Sequence, residues 1–490
     1  MIGRVHYWRA AHRIRSIKRQ GRDAESVQRD VLLRLVRQAR DTRFGRAHDF
    51  GAVRTVGDYR DRVPPQAYEA LRPYFDRARD GAPDETWPGA VEAFAQTAGT
   101  TGGRKYLPQT PSSVRSSLDG GTDALAAYLV RAGDRHLLQA RIAFLSGSVA
   151  LGDNTGILAA RAPAWARRFM VPSADVLALP DWEEKLAAAA RELARCDVRL
   201  LLGVPSWTLL VLDAVEREAD RPIRDVWPSW RGYIHGGMAF GPYAETYRKR
   251  VGGGVVFVDT YSATEGGVLA VQNRDDDPSL AVILDRNVYF EFVRADAPDG
   301  PRRGIHEVEP YVPYLVYLTT DAGLWSYGMD DVVRFTSVRP PRLLFHGRSH
   351  FLLDAFGEHV SQGELERAVG AAAAAHGCEV REFTVLPEYP DARNPSARHA
   401  WLVEFVVPPP DLRAFARTID GSIQGRNHDY RLHRAGDRQL RPPVVRLVRQ
   451  GAFYDWMKRR GRLGGQHQVP RIVDREAARA LLAPNARSVE

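Results

Sequence analysis

The chain has 490 residues, 44% of them hydrophobic and 26% charged, with a formal net charge of +9. This is globular composition at a length of two or three domains, with ample material for a large core. No run of about 18 apolar residues offers a membrane span, and the two cysteines, Cys196 and Cys378, cannot build a disulfide framework or a metal knuckle.

Lysine is scarce (Lys18, Lys105, Lys185, Lys249, Lys458), so the positive charge is mostly arginine, dispersed among acids. A nucleic-acid footprint would be clustered, and neither nucleic acid nor membrane is expected as a partner. Residues 1–20 are rich in Arg and lack the apolar stretch of a signal sequence. The expected location is the cytoplasm.

Val27, Val31, Leu35 and Ala39 recur at helical spacing, which predicts an amphipathic helix over 24–40. The following "TVGDYRDRVPPQAYEALRPYFDRARDG" reads as short helices punctuated by a Pro pair. From about 90 to 335, apolar runs alternate with helical stretches. "RIAFLSGS", "VRLLLGVP", "GYIHGG" and "GVVFVDTY" read as buried strands, with helices at "DWEEKLAAAARELARC" and "SWTLLVLDAVERE". That alternation predicts an α/β body with an at least partly parallel sheet, whose ligands sit where strands end. The pattern changes near 339–351. A helix at "SQGELERAVGAAAAAHG", strands at "REFTVLPE" and "HAWLVEFVVPPP", and a helix at "DLRAFARTIDGSI" predict a smaller α+β C-terminal domain after a hinge. The expected domains are 1–345 and 346–490, the second mobile.

Four segments could carry chemistry. "QTAGTTGGRKYLP" (96–108) offers hydroxyls and glycines that approach phosphate oxygens closely, with Lys105 as a cation. It lacks the Gly-Lys-Ser/Thr ending of a P-loop, and a plain flexible turn is the competing reading. In "DTYSATEGG" (259–267), Tyr261 could stack on a purine and Glu265 could join phosphate oxygens around Mg²⁺; a capped strand-ending turn is the alternative. "HGGMAFGPY" (235–243) lets backbone lie flat beside a ligand ring. In "YLTTDAGLWSYGMDDVVRFT" (317–336), an Asp before "VVRF" could accept from ribose hydroxyls, or the acid pair could cap a turn.

The order and spacing of these segments resemble the Gretchen Hagen family of acyl-acid amido synthetases, auxin-responsive plant enzymes with bacterial relatives, within the acyl-adenylate-forming superfamily. The resemblance runs from "YRDRVPPQAYEALRPYF" to "GQHQVPRIV" and includes "DWEEK", "GVPSW", "YSATEGG" and "GLWSYGMDDVV". It implies a large adenylating domain and an ATP- and Mg²⁺-dependent ligase. Such an enzyme joins a small carboxylic acid to an amine or amino acid, acting as a monomer or homodimer. It further implies that Thr97, Gly99, Thr100, Thr101 and Gly102 hold ATP phosphates. Gly236 and Gly237 flank adenine, and Tyr261, Thr264 and Glu265 contact adenine, phosphate and Mg²⁺. Asp331 takes the ribose, Arg348 approaches from the hinge, and Ser206 and Trp207 border the acyl pocket.

Two departures stand out. Where the family has Arg-x-Gly-Asp, this chain has Gly328, Met329, Asp330 and Asp331, losing a cation and adding an anion. The superfamily's adenylation lysine has become Gln468, in "QHQVPR". Losing one such contact costs about 10²- to 10³-fold in rate. Lys458, Arg471 or His467 are the cations near it in sequence that could substitute.

A carboxylate is a poor electrophile, so attack on the α-phosphorus must first give a mixed anhydride and pyrophosphate. The dense negative charge of that step needs cations, hydroxyls and N–H groups held in place. The amine must then attack in its neutral form, for which His359 and His467 are conceivable bases. Transfer to a thiol, and a non-catalytic binding relative, are the alternative readings.

Overall fold

The structure is a computed structural model that describes residues 2–98, 104–145, 154–161, 164–348, 352–353, 358, 360–389, 397–437, 440–464 and 467–482. It divides into two compact units: Met1–Gly237 with Gly254–Phe345, and Met238–Gly253 with His346–Glu490.

In the first unit a hairpin of β1 (Ala93–Ala98) and β2 (Arg104–Gln109) stands apart from the main sheet. That sheet contains β3 (Arg141–Phe144), β4 (Met170–Val171), β5 (Val198–Gly203), β6 (Gly232–Gly236), β7 (Val256–Ala263), β8 (Gly267–Val271) and β9 (Leu280–Val282). It is completed by β10 (Val288–Arg294), β11 (Pro313–Thr320), β12 (Leu324–Val338) and β13 (Pro341–Arg348). The strand order is β10-β11-β12-β13-β9-β8-β7-β6-β5-β3-β4.

Strands β3 to β7 pair in parallel, as the apolar runs with intervening helices predict. Those helices start with conventional chemistry. Asp181 caps Trp182–Leu193 by accepting from the Glu184 N–H at 2.8 Å, and Pro205 opens Pro205–Ala219 where no N–H is needed. Beyond β7 the sheet becomes antiparallel, through β8 and β9 and across the β10–β11–β12 meander. Periodicity did not reveal this half, because its strands are joined by turns rather than helices.

Strand β12 is irregular for a reason that bears on function. Its register against β11 slips twice, and in those slips Ser326 (φ 45°) and Asp330 (φ 62°) take left-handed backbone conformations. Such bulges re-aim side chains and are common beside active sites.

The predicted 24–40 helix is Ala24–Ala39, and it buries Val31, Leu32, Leu35, Val36 and Ala39. A further helix, Ile2–Gln20, was not read from the sequence. It buries Ala10 and Ile17, and Arg13 anchors it further by bridging the carboxylates of Asp123 (2.7 Å) and Asp285 (2.6 Å).

The second unit packs the helices Gln362–His376 and Leu412–Gln424 with a sheet of β16 (Glu379–Glu388), β17 (Arg398–Val407) and β18 (Val444–Val448); β14 (Leu352–Leu353) and β15 (Val360–Ser361) pair separately. A capping box of Ser361 and Glu364 starts the first helix, and Gly377 (φ 59°) ends it. Residues 238–253 lie in sequence inside the larger body yet belong to this unit. Lys249 there bonds the Gly377 carbonyl (3.0 Å) and Glu379 (3.1 Å).

Candidate functional site

The site assembles in the first unit where the parallel strands end. β6 finishes at Gly236, which pairs with Thr260 on β7. A Cβ at 236 would come within 2.7 Å of the Thr260 carbonyl oxygen, and Gly237 has φ 80°. Both positions therefore require glycine. Thr260 donates its hydroxyl to the His235 carbonyl at 2.9 Å, which fastens the two strand ends together.

One residue later, Tyr261 is buried and its hydroxyl donates to Asp331 Oδ2 at 2.7 Å. The tyrosine implied for adenine and the aspartate implied for ribose are thus one hydrogen-bonded pair, 70 residues apart in sequence. The Tyr261 ring also lies 5.8 Å from that of Phe345. Thr264 and Glu265 form the turn between β7 and β8, Thr264 buried and Glu265 half-buried.

Tyr327, on β12, lies within electrostatic reach of Glu265. Burial raises its phenol above the usual tyrosine range, and the Glu265 and Asp330 carboxylates raise it further. Tyr317 is shifted the same way by burial and then by Asp330, with Arg302 opposing. Glu265 and Asp330 therefore place a negative field at one point. A magnesium ion takes one or two carboxylates and completes its shell with phosphate oxygens and water. Glu265 fits that role with a nucleotide present; among the described residues no cluster of three His, Cys, Asp or Glu would hold a metal without one.

The departures from the family pattern have a structural reading. Gly328 lies opposite Tyr317, whose ring would be 3.1 Å from a Cβ at 328, so an aromatic side chain covers the glycine. Asp330 occupies the left-handed bulge position, which Asp tolerates better than most non-glycine residues.

Thr97 lies on β1 opposite Lys105 on β2, and the Lys105 ammonium stands 5.8 Å from the centre of the Tyr68 ring. Gly99, Thr100, Thr101 and Gly102 lie outside the described residues, as does His359. Trp207 is buried edge-on against Trp182 at 5.3 Å, which brings the "GVPSW" and "DWEEK" segments together; Ser206 beside it is half-buried.

In the second unit, Arg348 ends β13 and is exposed, and Lys458 is exposed in the last turn of the helix Ala452–Arg459. Gln468 is half-buried just before a segment that runs along β16. There Thr384 donates to the Pro470 carbonyl at 2.7 Å, Val385 N–H to that of Arg471 at 2.8 Å, and Val473 N–H to that of Val385 at 3.0 Å.

Arg471 cannot replace the missing lysine. Its guanidinium is buried, bonded to Glu366 (3.0 Å), Glu382, the Phe383 carbonyl (2.8 Å) and the Tyr243 hydroxyl (2.9 Å). Those partners consume its donors and its charge. His467 is exposed.

Sequence reasoning did not single out Tyr68, whose ring lies by Lys105, or Tyr327 on β12. Both stand inside the quoted segments, but nothing local distinguishes a tyrosine beside the site from a core one.

Models of the GH3 family match the chain in three blocks: the N-terminal domain over residues 13–152, the central domain over 281–348 and the C-terminal domain over 363–477. Together they span well over half of the chain. The chain belongs to the GH3 family.

This GH3-family chain is 27% identical over 276 residues to a probable indole-3-acetic acid-amido synthetase of Arabidopsis thaliana, covering 52% of the chain and 45% of that protein. The chain spans about half the length of the first curated relatives it matches. Among solved structures, AtGH3.15 acyl acid amido synthetase in complex with 2,4-DB superposes with a TM-score of 0.76 at 18% identity, covering 96% of this chain and 95% of that one. A 2-hydroxyisobutyryl-CoA ligase in its postadenylation state gives 0.61 at 14% identity, covering 93% and 90%. The GH3-family chain has the mixed α/β fold of adenylate-forming enzymes, with a large N-terminal and a smaller C-terminal domain.

Proposed function

We propose that this chain is an AMP-forming ligase: it adenylates a small carboxylic acid with ATP and Mg²⁺, then passes the acyl group to an amine or amino acid. The observation that carries the reading is the Tyr261–Asp331 hydrogen bond beside Gly236–Gly237. It unites three motifs, implied by the resemblance to contact adenine and ribose, in one corner of one unit. The amido synthetase names of the relatives support the amide-forming half.

In the first step a carboxylate oxygen of the acid attacks the α-phosphorus and pyrophosphate leaves. Glu265 would hold Mg²⁺, which would neutralise phosphate charge. Thr264, Lys105 and the Thr/Gly stretch from Thr97 through Thr101 and Gly102 would orient the triphosphate, and Asp331 the ribose. In the second step the neutral amine attacks the acyl carbon, AMP leaves, and a proton is lost from nitrogen. Ser206 and Trp207 would border the acyl group, and the resemblance assigns Arg348 and the position of Gln468 to the same chemistry. Arg471 is consumed by its carboxylates, and Lys458 is the one lysine in residues 346–490. The requirement for ATP fits a cytoplasmic setting.

A pyrophosphate-release screen over a panel of acids, with product masses recorded after adding amines or thiols, tests this reading. Release that needs Mg²⁺ and falls sharply in Glu265→Ala, with an amide as product, is expected. A thioester product would move the function to a thiol ligase, and no release with any acid would end the catalytic reading.

A further inference from the structure

Strand β2 belongs to an isolated two-stranded hairpin, and such hairpins are marginal unless something packs on them. Here the support comes from residues 66–79. Tyr68 opens the helix Tyr68–Arg79, is buried, and accepts the Tyr106 backbone N–H on its hydroxyl at 2.9 Å. Its ring lies beneath the Lys105 ammonium, and at the far end of the helix Arg79 lies over the Tyr106 ring at 4.7 Å.

Two residues before Tyr68, the chain is fastened to β12. The Gln66 N–H donates to the Ser326 carbonyl at 2.8 Å, and the Gly328 N–H donates to the Gln66 carbonyl at 2.9 Å. These bonds make a parallel bridge between Gln66 and Tyr327, between the two bulges of β12. Two residues span at most about 7 Å, so this connection leaves little play.

We propose that Gln66, Tyr68 and Tyr327 form a brace that sets strand β2, with Lys105, in fixed register against β12, with Asp331. On this proposal, which rests on the adenylating function above, Tyr68 is a positioning residue for ATP. It touches no reacting atom. Its hydroxyl satisfies an edge N–H of β2 that would otherwise compete for other partners.

Tyr68→Phe tests the brace, because it removes only the hydroxyl and keeps the ring under Lys105. Deuterium exchange of ligand-free protein should quicken at amides 104–109, and the KM for ATP in pyrophosphate release should rise about fivefold, the worth of one neutral hydrogen bond. The KM for the acid should stay within twofold. Unchanged exchange at 104–109, or faster exchange with an unchanged KM for ATP, overturns the proposal. Faster exchange in a protein whose wild type neither binds ATP nor releases pyrophosphate leaves the brace standing as a structural element. That result overturns the adenylating function, and with it the positioning role.

Discussion

The Tyr261 hydroxyl and Asp331 Oδ2 lie 2.7 Å apart, joining β7 to β12 across the interior of one unit. A hydrogen bond to a charged group contributes about 1.5–3 kcal/mol, and its loss would leave the buried Asp331 carboxylate short of a partner. Tyr261→Phe should therefore raise the KM for ATP roughly 10- to 100-fold. Pyrophosphate release at varied ATP checks this, and an unchanged KM would detach the pair from nucleotide binding.

Asp330 is held at φ 62°, and its carboxylate, like that of Glu265, raises the Tyr327 phenol. A left-handed non-glycine residue costs of order 1 kcal/mol, and a β-branched one more. Asp330→Gly should be neutral or stabilising by up to about 1 kcal/mol, while Asp330→Val should lose roughly 1–2 kcal/mol. Thermal unfolding measures both. Removing the anion should also lower the KM for ATP, since it relieves repulsion of the phosphates.

Gln468 stands where the superfamily's adenylation lysine is expected. Gln468→Lys should leave the pyrophosphate-release rate unchanged or raise it, by at most about 10²- to 10³-fold, the usual worth of one such contact. A large loss of rate would mean that the glutamine amide makes a contact the enzyme depends on.

Arg471 lies between the buried carboxylates of Glu366 and Glu382. Removing one partner of a buried ion pair costs about 3–5 kcal/mol, because the remaining charges stay buried. Arg471→Leu should destabilise the second unit by that amount in denaturant titration. Combining it with Glu366→Gln and Glu382→Gln should recover most of the loss. Equal destabilisation by the single and triple variants would rule out stranded charge as the cause.

Asp321 supplies the pH dependence. Burial raises its carboxyl above the usual range, against hydrogen bonds from Ser112 (2.7 Å), Ser116 (2.7 Å) and Asn287 (2.8 Å). A raised folded-state value means its contribution is full below the ordinary aspartate pKa and is lost as pH rises through the folded one. The unfolding midpoint of wild type relative to Asp321→Asn should fall over the window that opens as pH rises above the ordinary aspartate range. A difference that stays flat over that window would contradict the shift.

The sequence by itself determined the α/β character, the parallel strands with their helices, the 24–40 helix and the family. These follow from local periodicity, caps and ordered motifs, all of which repeat within a few residues along the chain. Only the tertiary structure decided that Tyr261 bonds Asp331, that Arg471 is consumed by two glutamates, and that residues 238–253 pack with the C-terminal unit. Each of these is a contact between segments distant in sequence, chosen by burial and charge pairing. An arginine in "VPR" or a tyrosine in "QAYE" looks the same whether it is a catalytic cation, a core side chain or a brace. Its partners settle that, and folding supplies them.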